Sequence, residues 1–315
     1  MLKPDKGADK IHDFFAKRLS KMFKFTESIT WILLKRNVKF WICASIIAIV
    51  LSLTLIGPCL TPYRPLDVTT PRLPPLSSGS PFGTDNLGYD VFSATVYGLR
   101  VSLMVGLIAA VIATAIGTIL GLIAGYKGGL ADSIIDGATN ILIALPAAFI
   151  MIMVGAFYLQ MGEAPSALRE IRNMAFLGSM IGILMWHWTA KAVRSHVAAL
   201  KISDYVIVSK LSGNSDLKII LKEIIPNIAS YIILVFVIQL ANALVTIVTL
   251  EFLGIKASDW SLFARVMQWL QMGVLHAHLW WVFLIPGAII VAFIASLYLI
   301  VLSLDEVFNP RLRRV

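Results

Sequence analysis

"VSLMVGLIAAVIATAIGTILGLIAGY", Val101–Tyr126, holds no charged residue and exceeds the roughly 20 apolar residues that cross a bilayer. Five more runs of the same character flank it: Phe40–Ile56, Ile134–Leu159, Phe176–Val193, Tyr231–Phe252 and Trp280–Leu304. Phe176–Val193, the fourth in chain order, is the weakest, because Lys191 and Arg194 crowd its end. Over 315 residues the chain is 58% hydrophobic and 14% charged, with a mean hydropathy of +0.83. Soluble domains carry about 25% charged residues. The expected fold is therefore an all-α polytopic membrane protein with six transmembrane helices.

The net charge of +9 would suggest nucleic acid in a soluble protein, but its distribution points to the bilayer instead. With the N-terminus placed inside, twenty Lys and Arg lie on the cytoplasmic side and seven outside. That asymmetry predicts N-in, C-in topology. Five regions follow: a basic cytoplasmic segment at 1–39, a first span at 40–60, a Pro-rich extracytoplasmic segment at 61–99, a five-span core at 100–305 and a cytoplasmic tail at 306–315. Within the first, Ile11, Phe14, Phe15, Leu19, Met22 and Phe23 oppose Lys10, Lys17, Arg18, Lys21 and Lys24. The pattern suits a helix on an anionic membrane surface, with a disordered basic tail as the alternative. No apolar secretory core occupies the first thirty residues, so the first span reads as a retained signal anchor. Six of the thirteen prolines fall between Pro62 and Pro81, which predicts an extended linker.

Ala113, Gly117, Gly121 and Gly125 place a small residue at every fourth position of the second span. Such a stripe lets helix backbones approach closely, within this chain or against a second subunit. Cys43 and Cys59 sit about 24 Å apart along one helix, beyond disulfide reach. No metal-ligand spacing occurs, and no Gly-Lys dipeptide exists to end a P-loop. Catalytic residues are not expected. His187, between Trp186 and Trp188, reads as a neutral histidine at an aromatic membrane interface, with an intramembrane polar role as the alternative.

"SDYVIVSKLSGNSDLKIILKEIIPN", Ser203–Asn227, is the charged exception. Ser203 can cap a first helix, Gly213-Asn214-Ser215 supplies a turn, and Asp216 starts a second helical segment. In that segment Leu217, Ile220 and Leu221 oppose Lys218 and Lys222, and Pro226 marks the start of the fifth span. The connection exceeds thirty residues where two to eight are usual, so it reads as a docking knob rather than a loop.

This stretch resembles the cytoplasmic signature of ABC importer permeases, an E-A-A run followed by Gly and an apolar-Pro pair. Gly213 and Pro226 match, whereas Ile207, Val208 and Ser209 stand at the E-A-A positions. "FGTDNLGYDVFSATVYGLRVSL" (Phe82–Leu103), "GLIAGYKGGLADSIID", "ALP" at Ala144–Pro146 and "EFLGI" (Glu251–Ile255) resemble blocks of the dipeptide/oligopeptide C-type permease in the same order. Tyr89 and Ala94 depart from that pattern. The resemblance covers nearly the whole chain.

It implies a multi-pass cell-membrane subunit that carries a coupling-helix insert and holds no cofactor of its own. The implied partners are a related B-type permease, two cytosolic ATPases bearing ATP and Mg, and an extracytoplasmic solute-binding protein. Asp204, Tyr205, Ile207, Val208, Ser209, Lys210, Gly213, Asn214, Ser215 and Pro226 would then couple to the ATPases. Asn140, Gln239 and Asn242 are candidates for the translocation path, with interhelical packing as the equal alternative. Peptides are the modal cargo, with nickel or oligosaccharides as variants. An ion-coupled secondary transporter is the rival reading, but it calls for mid-membrane ionisable residues and inverted repeats. A membrane-embedded enzyme would need convergent nucleophile, base or metal ligands, and none converge here.

Overall fold

In a computed structural model of the chain, the described residues are 35, 37–61, 63, 67–159, 166–255, 257–258, 261–273 and 278–308. The Ile11–Phe23 pattern and residues 309–315 lie outside them. Contacts divide the chain into residues 46–298 and a smaller unit comprising residues up to 45 and those from 299 on. Helices dominate: α1 Val38–Leu60, α2 Val91–Lys127, α3 Gly129–Ala144, α4 Ala147–Leu159, α5 Ser166–Lys201, α6 Asp204–Leu211, α7 Asp216–Ile219, α8 Ile225–Phe252, α9 Leu262–Gln271 and α10 Trp280–Phe308. Among the described residues β-structure is limited to isolated bridges such as Val68 with Tyr89.

Four described helices are long and apolar enough to cross a membrane, or five if the bent pair α3–α4 counts as one span. The bend is 83°. Leu145 precedes Pro146 and is extended, with ψ 136°, as the proline ring demands of its neighbour. The continuous third span expected over Ile134–Leu159 is therefore two helices. The expected fourth span lies inside the 36-residue α5. Asn173, His187, Trp186 and Trp188 dilute its apolar character.

The small-residue stripe meets α5 of this same chain. A Cβ on Gly117 would lie 2.4 Å from Thr189 Cβ, one on Gly121 2.8 Å from Ala190 O, and one on Gly125 2.7 Å from Arg194 O. Gly178 and Gly182 of α5 answer from the other side, against Ile108 and Ala109 of α2. Around this contact Val105, Ala109, Ile181, Ala241, Leu244, Ile247 and Phe293 form the main core.

From residue 67 on the Pro-rich segment is folded rather than extended, and helix begins before its expected end. Asp90 caps α2 by accepting from Ser93 N at 2.7 Å, so the helix starts at Val91, well before residue 100. Before it, Thr69 N bonds Gly88 O at 2.8 Å, Arg72 N bonds Asp85 O at 2.9 Å and Thr84 N bonds Leu73 O at 2.9 Å. The prolines cannot donate, but threonine, aspartate and left-handed glycines turn the chain back on itself. At Gly88, φ is +93° and a Cβ would meet Thr69 O at 2.3 Å. Asp85 is buried and accepts from Leu87 N, Tyr89 N and, at 2.8 Å, the indole Nε1 of buried Trp269 on α9.

Candidate functional site

The knob begins where α5 ends. Ser203 takes the extended N-cap conformation, φ −74° and ψ 148°, and its carbonyl accepts from Val206 N and Ile207 N. Its hydroxyl does not cap; it donates back to Leu200 O at 2.5 Å. After α6 the chain reverses at Gly213, φ +78°, with Gly213 N on Lys210 O at 3.0 Å. A Cβ there would touch nothing, so the backbone angle alone selects glycine. Asn214 braces the turn: its amide donates to Ser209 Oγ at 3.0 Å and its Oδ1 accepts from Lys218 Nζ at 2.6 Å.

The second helix of the knob is not separate from the span that follows. Helix α7, a π turn at Ile220–Ile224 and α8 form one continuous segment from Asp216 to Phe252. Pro226 sits in the first turn of α8, where its missing N–H breaks nothing. The π turn also changes which side faces inward. Leu217 and Leu221, expected to share an apolar face, are exposed, while Ile219 and Ile224 are buried with Val206, Val193, Val197 and Ile228. The Tyr126 hydroxyl donates to Asp216 Oδ1 and ties α2 to the same junction. The knob is thereby anchored to α2, α5 and α8 at once.

Its outer surface is apolar. Leu211 is 82% exposed, Ile202 75% and Val208 61%, with Tyr205 and Ile207 also exposed. Asp204, Tyr205, Ile207, Val208, Lys210 and Ser215 come together on this exposed side, with Ser209 and Asn214 half-buried in the turn. Pro226 stands apart on α8. Beneath α6 a cavity of about 260 Å³ is lined by Tyr126, Lys201, Val206 and Lys210 among others.

The three path candidates do not converge. Buried Gln239 donates its amide to Met185 O at 3.0 Å and Thr189 Oγ1 at 2.7 Å, bonding α8 to α5. Asn242 Oδ1 accepts from Tyr298 OH at 2.6 Å. Asn140 belongs to a polar ladder between α3 and α5. In it Lys191 Nζ donates to Asn140 Oδ1 at 2.6 Å, and Arg194 donates to Asp136 Oδ1 at 3.0 Å and Asp132 Oδ2 at 2.7 Å. Sequence reasoning missed this ladder, although Asp132, Asp136 and Asn140 follow one another at four-residue spacing. Among the described residues no three His, Cys, Asp or Glu gather as a metal site, and both cysteines are free.

Residues 117–314 match the family described as "Binding-protein-dependent transport system inner membrane component". The chain is 32% identical over 295 residues to the dipeptide transport system permease protein DppC of Bacillus subtilis, covering 90% of this chain and 85% of that protein. It is 30% identical over 291 residues to the DppC protein of Haemophilus influenzae, covering 90% and 94%. With the DppC protein of Escherichia coli K12 it shares 29% over 297 residues, covering 90% and 93%.

Proposed function

The chain belongs to the binding-protein-dependent transport system inner membrane components, and from that premise we propose how its parts serve import. It is a multi-pass permease subunit of an ABC importer, a transport protein and not itself an enzyme. Six spans are formed by α1, α2, the broken pair α3–α4, α5, α8 and α10, with both termini in the cytoplasm. The positive-inside asymmetry supports that orientation and puts the knob on the cytoplasmic side. There α6 and its turn dock a cytosolic ATPase that carries ATP and Mg, while a B-type permease completes the pathway and a solute-binding protein delivers cargo. The curated relatives are named for dipeptide or peptide transport, and peptides are the proposed cargo. Of the path candidates Asn242 is half-buried and Asn140 exposed, both within reach of a pathway, whereas buried Gln239 acts in helix packing.

One observation carries the coupling role: an exposed apolar crest of Ile202, Val208 and Leu211 stands on a buried anchor centred on Val206. Exposed apolar surface marks interaction sites, and a rigid base lets a push at the crest reach α2, α5 and α8. The test is purification of the complex carrying Val208→Asp and Leu211→Asp. Loss of the ATPases with retention of the second permease supports the docking role. Retention of the ATPases at wild-type stoichiometry refutes it.

A further inference from the structure

The break between α3 and α4 opens on a cavity of about 290 Å³ that also touches α5 and α8. His187, Trp188, Thr246, Thr249, Leu145 and Met151 stand on its wall. Irregular backbone at membrane depth is tolerated where it lines a cavity, and Leu145, the extended residue of the break, does so. Helical rise puts His187 about 6 Å along α5 from Lys191, the nearest of the cations counted on the cytoplasmic side, so it lies just inside that edge of the bilayer.

Three side chains of this wall offer acceptors, beside the Trp188 indole N–H, which is a donor. His187 Nδ1 lies 2.9 Å from Leu184 O, and a carbonyl only accepts, so Nδ1 carries the proton. In the neutral ring Nε2 is then an acceptor. The Thr246 hydroxyl donates its hydrogen to Asn242 O at 2.8 Å, and the Thr249 hydroxyl donates to Val245 O at 3.0 Å. Both oxygens retain accepting capacity. Lys191, one turn beyond His187, is bound to Asn140 and is not on the wall. Trp188, 58% exposed, adds an aromatic face that attracts cations. Small-ligand pockets run about 300–1,000 Å³, so this cavity suits one end of a solute rather than a long chain.

We infer that this cavity is a subsite on the transport route for the amino end of a peptide. His187 Nε2 and the Thr246 and Thr249 oxygens accept from its ammonium group, and Leu145 and Met151 flank the adjoining side chain. The inference rests on the peptide-importer reading. Its test is ATP-driven uptake of dialanine by the complete transporter with its binding protein in proteoliposomes, comparing wild type, His187→Leu and His187→Gln. The binding protein is a separate chain, so selection upstream stays constant. Leucine removes the acceptor, while glutamine restores one through its amide oxygen. The expected result is a fall of about tenfold in maximal uptake for His187→Leu, with His187→Gln within about threefold of wild type. Equal rates in all three, or equal loss in both variants of an importing wild type, overturn the subsite alone. A wild type that imports no dialanine under ATP overturns the peptide reading and the subsite with it.

Discussion

The Tyr126 hydroxyl donates to Asp216 Oδ1 across 2.9 Å, joining the last turn of α2 to the first turn of the helix that becomes α8. The two residues are 90 positions apart in sequence. Tyr126 is buried in the small core that also holds Val206, so one phenol packs the knob and bonds its second helix. Tyr126→Phe keeps the ring and removes the bond. Its expected cost is about 1 kcal/mol, read as a lowered unfolding midpoint of the purified complex. Peptide uptake per ATP hydrolysed is expected to fall as well, because the junction loosens where motion must pass. An unchanged midpoint and unchanged coupling would show that packing alone fixes it.

Gly213 makes a separate prediction, since only its backbone conformation requires glycine. Gly213→Val forces a β-branched residue to φ +78° with no clash to relieve, costing on the order of 2 kcal/mol locally. Gly213→Asn costs less, because asparagine visits that region more readily. Uptake per ATP in reconstituted transporters should rank glycine, asparagine, valine in descending order. Equal coupling in all three would deny the turn any role in transmission.

Much of this architecture was legible because lipid imposes long apolar runs, and the glycine stripe was visible at its four-residue period. What lies off those periods was not. The buried face passing from α7 into the π turn follows Ile219 and Ile224, five apart, the spacing of a π turn. A 3.6-residue reading selected Leu217, Ile220 and Leu221; Ile220 packs against that core, but Leu217 and Leu221 are exposed. The Pro-rich segment read as a linker because its folding depends on partners remote in sequence. Asp85 meets Trp269 across 184 positions, a pairing that no local pattern announces. Of the site, the two short helices and their glycine turn could be placed from sequence, whereas the cavity at the break could not, since four helices assemble it.

The stripe itself yields a paired test. Gly117→Ala places a methyl 2.4 Å from Thr189 Cβ and 2.6 Å from Trp186 O, where backbone cannot yield cheaply. Overpacking of this kind costs about 1–3 kcal/mol. Gly137→Ala on α3 meets nothing within 4 Å and removes a flexible residue from a helix interior, so it should be neutral or stabilise by about 0.5–1 kcal/mol. Thermal unfolding of the two variants in the same detergent should move in opposite directions, or the first alone should fall. A Gly117→Ala protein as stable as wild type would mean that α2 and α5 sit further apart than this contact requires.

The last prediction concerns the folded loop. Asp85 accepts from two partly buried backbone amides through Oδ1 and from the buried Trp269 indole through Oδ2. Asp85→Ala would orphan three donors at once, and each buried unsatisfied group costs about 1–3 kcal/mol. Asp85→Asn separates the contributions. Its amide oxygen can keep the two backbone bonds, but its NH₂ then faces another donor, the indole N–H. Trp269→Phe removes that indole donor, so it should rescue part of the Asp85→Asn defect. A double-mutant cycle on unfolding midpoints should therefore give a coupling of about 0.5–3 kcal/mol. Strict additivity would mean that the loop is held by its backbone turns, with the α9 bond incidental.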